Sequence, residues 1–360
     1  MAFRKIVVAM DVPSEGFGGG GGPHKSTQSI MDSELKNRYT FKKIIYRKDL
    51  GRGISIKRIK DIVDQIRKIN PDIVHFTGLQ LSGFHMVVAC KLAGINKTVV
   101  TIHGSSGDAL DISKFKRFIL KYFLETITLV LSKRVVGVSN YVTSKKIYKF
   151  LSPKNLYTVY NLPPDDYLNN DNISFRDKLK FNENDLLFVS VGRITKDKGY
   201  HVLDEAILKL KSIPNVKYII VGDGNYLSVM KDKLKYMIDD NQVFLLGYQR
   251  DISFILNSCD VFVLPTLHET LSIALLEASQ ASLALIASNT GGVPEIVVNN
   301  YNGKLVEPGN VKELFLAMSS LIRSRESVES LGQNAKLNIK EKFSNEEIIN
   351  KLDKIYKSLL

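Results

Sequence analysis

The chain holds two cysteines, Cys90 and Cys259, far apart in its 360 residues. That number excludes a disulfide scaffold and a zinc site made of cysteines alone. No apolar run reaches the ~18 residues that a membrane span requires. Met1-Ala2-Phe3-Arg4-Lys5 leads directly into a short apolar run, without the longer apolar region of a signal peptide. A cytoplasmic protein is therefore expected. No short-period repeat is present, and one glycine run is the sole low-complexity tract. Acidic residues are scarce in the first half. Residues 1–163 carry 27 Lys+Arg against 11 Asp+Glu, a net +16, whereas residues 164–360 carry 23 against 26, a net −3. Such asymmetry points to an anionic partner: a membrane, a nucleic acid or a phosphorylated acceptor. A lysine-rich, solvated surface is the plainer alternative. No recognisable reader module accompanies the charge, so nucleic acid is not expected as a partner.

With 44% hydrophobic and 24% charged residues, the composition is that of a globular protein. Its length exceeds what one core normally supports, so two domains are expected. Short β-branched runs alternate with amphipathic stretches, the pattern of parallel strands joined by right-handed helical crossovers. The strand-like runs of the first half are Ile6–Met10, Ile44–Tyr46, Asp72–Phe76, Thr98–Ile102, Val135–Val138 and Leu156–Tyr160. Helical spacing marks Ile56–Lys68 and Phe115–Leu131 between them. The turn-rich Asn161-Leu162-Pro163-Pro164-Asp165-Asp166 interrupts the pattern, which then restarts. Its second-half strands are Leu186–Val191, Lys217–Val221, Val243–Leu246, Val261–Leu264, Leu283–Ala287 and Lys304–Val306. Helical stretches Val311–Arg323, Val328–Lys342 and Glu346–Leu360 close the chain. Two doubly wound α/β domains are expected, with the ligand outside the carboxyl ends of the strands, in the cleft between facing domains.

Five segments carry candidate chemistry. Gly18-Gly19-Gly20-Gly21-Gly22-Pro23-His24-Lys25-Ser26 follows the first strand. Glycines let backbone approach a ligand, and a helix starting near Pro23 turns unpaired N–H groups toward an anion. A P-loop is disfavoured because His24 stands where that pattern needs glycine. A diphosphate- or acceptor-facing loop and a plain surface loop both remain open. Val191-Gly192-Arg193-Ile194-Thr195-Lys196-Asp197-Lys198-Gly199 sets Arg193 and Lys198 at a strand end, where two cations suit a departing diphosphate. In Pro265–Ala278, Glu269 precedes a helix beginning near Ser272, and Glu277 lies eight positions on. Carboxylates accept from sugar hydroxyls, and the helix start offers the N–H groups of Leu271–Ile273 to a phosphate. An ordinary capped helix accounts for the same pattern. Asn289-Thr290-Gly291-Gly292-Val293-Pro294-Glu295 reads as a turn before a helix. His103 closes a strand in Val100-Thr101-Ile102-His103-Gly104.

Together, residues 186–309 resemble the donor domain of glycosyltransferase family 4, a family of the GT-B fold. The matching pieces are V-G-R-x-x-x-D-K-G (191–199), V-G-D-G (221–224), E-x7-E (269–277), G-G-V-P-E (291–295), N-G (302–303) and E-P-G (307–309). D-I-V-H (72–75), T-I-H (101–103) and G-V-S (137–139) extend the resemblance into the first half. Two segments differ in type: the family often has E-G-F-G where Glu269-Thr270-Leu271-Ser272 stands, and C-G-x-P where Ala281-Ser282-Leu283-Ala284 stands.

The resemblance implies a retaining transferase that takes a sugar from a nucleotide-sugar, a UDP-sugar being expected. Residues 1–163 would bind the acceptor, residues 164–345 the donor, and helix 346–360 would cross back to the first domain. Arg193 and Lys198 would hold the diphosphate. Glu269, with the backbone of Thr270, Leu271 and Ser272, would hold the sugar, Glu277 the ribose, and His103 would contact the sugar. Gly21 and Gly22 would approach the phosphate and acceptor. With no D-x-D motif present, transfer without metal or other cofactor is expected. The basic, aromatic stretch Ser113–Arg134 suggests attachment to an anionic membrane surface and a saccharide or lipid-linked saccharide acceptor, as in surface polysaccharide synthesis. A catalytically silent sugar-nucleotide-binding protein and a sugar-nucleotide epimerase are the competing functions.

Overall fold

A computed structural model describes residues 4–13, 21–106, 113–164, 174–211 and 213–360. Gly18–Gly20 of the glycine run and Asp165–Asp166 of the expected linker lie outside the described residues. The chain divides into two compact units, one of residues 1–162 and 345–360, the other of residues 163–344. The division and the returning helix each fall one residue before their expected positions.

The first unit is built on β1 (Ile6–Pro13), β2 (Tyr39–Tyr46), β3 (Ile73–Thr77), β4 (Thr98–Ile102), β5 (Arg134–Gly137) and β6 (Leu156–Thr158). They form one parallel sheet in the order β2-β1-β3-β4-β5-β6. β1 is an interior strand, and Val8, Ala9 and Met10 are fully buried, as a strand covered on both faces requires. Helix Ile56–Ile69 turns Ile59, Ile62, Val63 and Ile66 inward. Ser55 caps its start by accepting from the Arg58 N–H, and Asn70 ends it in the left-handed region.

Helix Asn345–Lys357 belongs to this unit through its polar contacts. Tyr356 OH meets His75 Nδ1 at 2.7 Å, and the other ring nitrogen meets Thr101 Oγ1 at 2.7 Å. Asp353 accepts from Tyr39 OH at 2.8 Å and from Arg38 Nη1 at 2.9 Å.

Residues 114–131, expected as one helix over 115–131, are not uniform. An α-helical piece Lys114–Ile119 passes into one wide π turn, Leu120–Glu125, before α-helix resumes at Thr126–Leu131. Inward bonds accompany the wide turn: Glu125 accepts from Ser106, and Thr128 Oγ1 donates to the Leu79 carbonyl at 3.2 Å.

The second unit repeats the plan with β7 (Leu186–Val191), β8 (Val216–Val221), β9 (Val243–Leu245), β10 (Val261–Leu264), β11 (Ala284–Ser288) and β12 (Gly303–Val306). Its parallel order is β12-β11-β10-β7-β8-β9. Phe188, Tyr218, Val261 and Ile286 bind the sheet to its covering helices in one apolar cluster. Among the described residues no helix is long and apolar enough to cross a membrane.

Candidate functional site

Chain direction reverses in the second sheet between β7 and β10. From β7 the chain proceeds to β8 and β9 on one side, then returns to place β10 on the other. The crevice outside the carboxyl ends of two such strands is the place where sheets of this kind take a ligand. The loops that leave β7 and β10 are residues 192–199 and 265–272, the two segments that carry Arg193, Lys198 and Glu269.

These loops are fitted backbone to backbone. The Leu267 N–H donates to the Asp197 carbonyl at 3.0 Å. Gly199, which starts helix Tyr200–Lys209, has φ +73. A Cβ at that position would lie 1.8 Å from the Pro265 carbonyl oxygen. Only glycine allows this approach. A third loop, after β11, braces the second: at Gly291 (φ +58) a Cβ would lie 1.6 Å from the Glu269 carbonyl oxygen. The expected structural turn at 289–295 therefore also holds the backbone of Glu269 in place.

Two ion pairs occupy the crevice walls. Lys198 Nζ meets Glu269 Oε2 at 2.9 Å, with the side chains 22% and 15% exposed. Glu269 Oε1 accepts from the Thr270 N–H at 3.1 Å. Arg193 is 70% exposed and its Nη2 meets Asp197 Oδ2 at 3.3 Å. Asp197 is a site residue that the sequence reading quoted but gave no role; its spacing of four from Arg193 was the available signal. Thr270, Leu271 and Ser272 are buried, and Ser272 Oγ caps helix Ile273–Gln280 by accepting from the Leu275 N–H at 3.2 Å. Glu277 lies on that helix and is 8% exposed. The structure thus gathers Arg193, Lys198, Glu269 and the 270–272 backbone on adjoining loops of one sheet. A mobile anion entering here meets one exposed guanidinium and an ammonium already held by a carboxylate. A polyol meets that carboxylate and polar backbone.

The remaining candidates belong to the first unit. His103 follows β4, and burial lowers its pKa from 6.5 to about 4, so the ring is neutral at pH 7. A neutral imidazole suits a hydroxyl partner better than a phosphate. Gly21 precedes helix Gly22–Asp32, and Gly22 is its first residue. Gly21 has φ −61, a value open to any residue, and a Cβ there would meet nothing nearer than 4.0 Å. The turn itself does not demand glycine.

Sequence reasoning missed two further residues of this unit. Asp11 lies near the carboxyl end of β1, where the first sheet reverses direction between β1 and β3. Its Oδ1 accepts from the Thr77 N–H at 2.8 Å and its Oδ2 from Thr77 Oγ1 at 3.2 Å. Burial raises its pKa from 3.8 to about 7 against those bonds. Glu125 accepts from Ser106 N–H at 2.6 Å and Ser106 Oγ at 2.7 Å. Each was legible as a lone acid, one inside an apolar strand and the other inside a basic stretch. Among the described residues no group of three or more His, Cys, Asp or Glu is placed to hold a metal ion.

Comparison with known proteins follows the two-unit division. Residues 171–338 match the model for glycosyl transferases group 1, and residues 25–134 match glycosyl transferase 4-like. The capsular polysaccharide biosynthesis glycosyltransferase CapM of Staphylococcus aureus is 26% identical over 324 residues, covering 87% of this chain and 84% of its own. A UDP-Gal:alpha-D-GlcNAc-diphosphoundecaprenol alpha-1,3-galactosyltransferase of Escherichia coli is 29% identical over 326 residues, covering 85% and 80%. Anabaena HepE, solved in complex with UDP-glucose, superposes with a TM-score of 0.79 at 18% identity, covering 98% of this chain and 100% of its own.

Proposed function

We propose that this chain, a glycosyltransferase of the GT-B fold, draws its sugar from a nucleotide-sugar donor, a UDP-sugar, bound where the loops after β7 and β10 adjoin. The observation that carries the reading is the Lys198–Glu269 pair at 2.9 Å beside the exposed Arg193. One wall of the crevice offers cations to a diphosphate and the other a carboxylate to sugar hydroxyls. Relatives that act on UDP-galactose or bind UDP-glucose support the donor class.

In this reading Arg193 and Lys198 hold the diphosphate, and the start of helix Ile273–Gln280 adds its partial positive charge. Glu269 and the 270–272 backbone orient the sugar, and Glu277 receives the ribose hydroxyls. Neutral His103 contacts the sugar, and Gly21 and Gly22 admit the acceptor side. As the C1–oxygen bond to the diphosphate breaks, negative charge grows on the leaving oxygen. The cations carried by these loops stabilise that charge, a role metal ions fill elsewhere. The acceptor hydroxyl attacks C1 from the same face. Its proton passes to the departing phosphate oxygen, so configuration is retained and no separate base is required.

The acceptor is read as a saccharide or lipid-linked saccharide at the anionic face of a membrane, in surface polysaccharide synthesis. CapM and the diphosphoundecaprenol-directed relative support that class. The +16 charge of residues 1–163 supports a peripheral seat on the cytoplasmic side.

The test is UDP release from a panel of UDP-sugars by the wild type and by the Arg193→Ala/Lys198→Ala double variant. Losing two fixed donors to the leaving group should lower turnover by about a thousandfold or more, with the thermal transition retained. Turnover within tenfold of wild type would remove the diphosphate assignment.

A further inference from the structure

Residues 114–131 depart from the usual arrangement of a surface helix by carrying large apolar residues on the outer side as well as the inner. Phe115, Phe118, Ile119, Tyr122, Phe123 and Ile127 are exposed, at spacings of three and four that put them along one side. Leu120, Leu124, Thr128 and Leu129 are buried on the other. Soluble helices normally turn polar residues outward, so a contiguous apolar stripe of this kind marks a contact surface.

The charge beside the stripe selects the occupant. Lys116, Arg117 and Lys121 share the segment, and Glu125 is its single acid, buried and committed to Ser106. Helix Lys146–Leu151, which lies against Thr126–Leu131, adds Lys146 and Lys149 and an 81% exposed Phe150. No carboxylate occurs between Ser139 and Lys154. Aromatic rings that enter the headgroup layer, flanked by cations on two helices that carry no exposed acid, complement an anionic lipid bilayer.

The buried side of the same segment holds a loop of the candidate site. Glu125 closes the π turn, and its Oε1 takes both the N–H and the hydroxyl of Ser106, three residues after His103. A π turn carries one residue more than an α turn, is rare, and is frequent at functional sites. Gaining or losing that extra residue changes the register of one side of the turn against the other. Whatever favours one register of the outer stripe moves Glu125, and Glu125 is bonded to the loop.

We propose that residues 114–131 are a lever between an anionic bilayer and the His103 loop, with Glu125 as the positioning residue. The bilayer favours the register that presents the stripe in one plane, and Glu125 passes that choice to Ser106 and His103. The inference rests on the membrane seat proposed above and adds to it that seating changes the site.

Two measurements on the full chain separate the two ideas. Flotation uses vesicles of phosphatidylglycerol with phosphatidylcholine, and phosphatidylcholine alone, at low and high salt. Amide hydrogen exchange of residues 102–106 is followed with and without the anionic vesicles. Wild type should float with the anionic vesicles at low salt, and exchange at 102–106 should change by about tenfold on seating. Glu125→Leu, which removes the acceptor of both bonds, should float equally well and show no change on seating. Ser106→Ala, which removes one of the two bonds, should show a smaller change, and it serves if Glu125→Leu fails to fold. Flotation of wild type without any change at 102–106 overturns the lever and leaves the membrane seat standing. An unaltered response in Glu125→Leu and Ser106→Ala overturns the role of Glu125. Absence of flotation at low salt overturns the seat, and the lever with it.

Discussion

Replacing Gly199 by alanine tests whether the close fit of the β7 and β10 loops sets the donor site. The added Cβ would stand 1.8 Å from the Pro265 carbonyl oxygen, far inside contact distance. The two loops must part by about 1 Å, because neither backbone is a flexible side chain that can swing aside. Parting them breaks the Leu267 N–H to Asp197 carbonyl bond and draws Lys198 away from Glu269. A left-handed φ of +73 adds about 1 kcal/mol for any residue with a Cβ. Gly247 is the matched control in the same unit: its φ is +65, and a Cβ there meets nothing within 4 Å. Gly247→Ala should therefore lose about 1 kcal/mol and a few degrees in Tm, with kcat/KM unchanged. Gly199→Ala should lose more stability, and kcat/KM for UDP release should fall by about a hundredfold, the cost of misplacing binding groups by about 1 Å. Calorimetric UDP affinity should fall with it. If the two variants agree in kcat/KM within threefold, the adjoining loops do not form the donor site and the reasoning fails.

Two stability predictions follow from the first unit. Tyr356→Phe deletes the hydroxyl bonded to buried His75 Nδ1 and leaves that nitrogen unsatisfied, so urea unfolding should show a loss of about 1–3 kcal/mol; an unchanged midpoint would refute the bond. Acid should destabilise the protein well above the carboxylate range. Burial lowers the pKa of His75 to about 3, of His85 to about 4 and of His103 to about 4. As pH falls below 6.5 the unfolded chain takes up these protons first, and stability is lost toward pH 4. Asp11 has the opposite sign: with a folded pKa of about 7, its contribution is complete below pH 3.8 and is lost as pH rises through 7. Three histidines outweigh one carboxyl, so the net loss from pH 7 to 4 should be on the order of several kcal/mol. Tm recorded across that range checks it, and a flat profile would refute the burial of neutral rings.

Much of the architecture was legible before any coordinates. Thr98–Ile102, Leu186–Val191 and Val261–Leu264 are strands over the same residues that the apolar runs mark. A strand buried on both faces is apolar at most positions, so local composition reports it directly; buried Thr98, Thr101 and Ser190 interrupt the run without ending it. The expected single helix over 115–131 missed the π turn, because apolar periodicity records which side is covered and not how many residues one turn contains. The stretch also read as an amphipathic helix, and it proved to carry large apolar residues on its outward side as well as its buried one.

Sequence alone thus determined the alternation of strand and helix, the loops rich in cations and carboxylates, and the uneven charge. These are properties of neighbours in the chain. Tertiary structure decided which of those loops adjoin. Lys198 and Glu269 stand 71 positions apart, and His75 and Tyr356 stand 281 apart. Such pairs exist because β10 returns beside β7 and because the final helix packs with the first unit. Strand order depends on how whole crossovers settle against one another, and no spacing of residues along the chain encodes the partner that a side chain meets there.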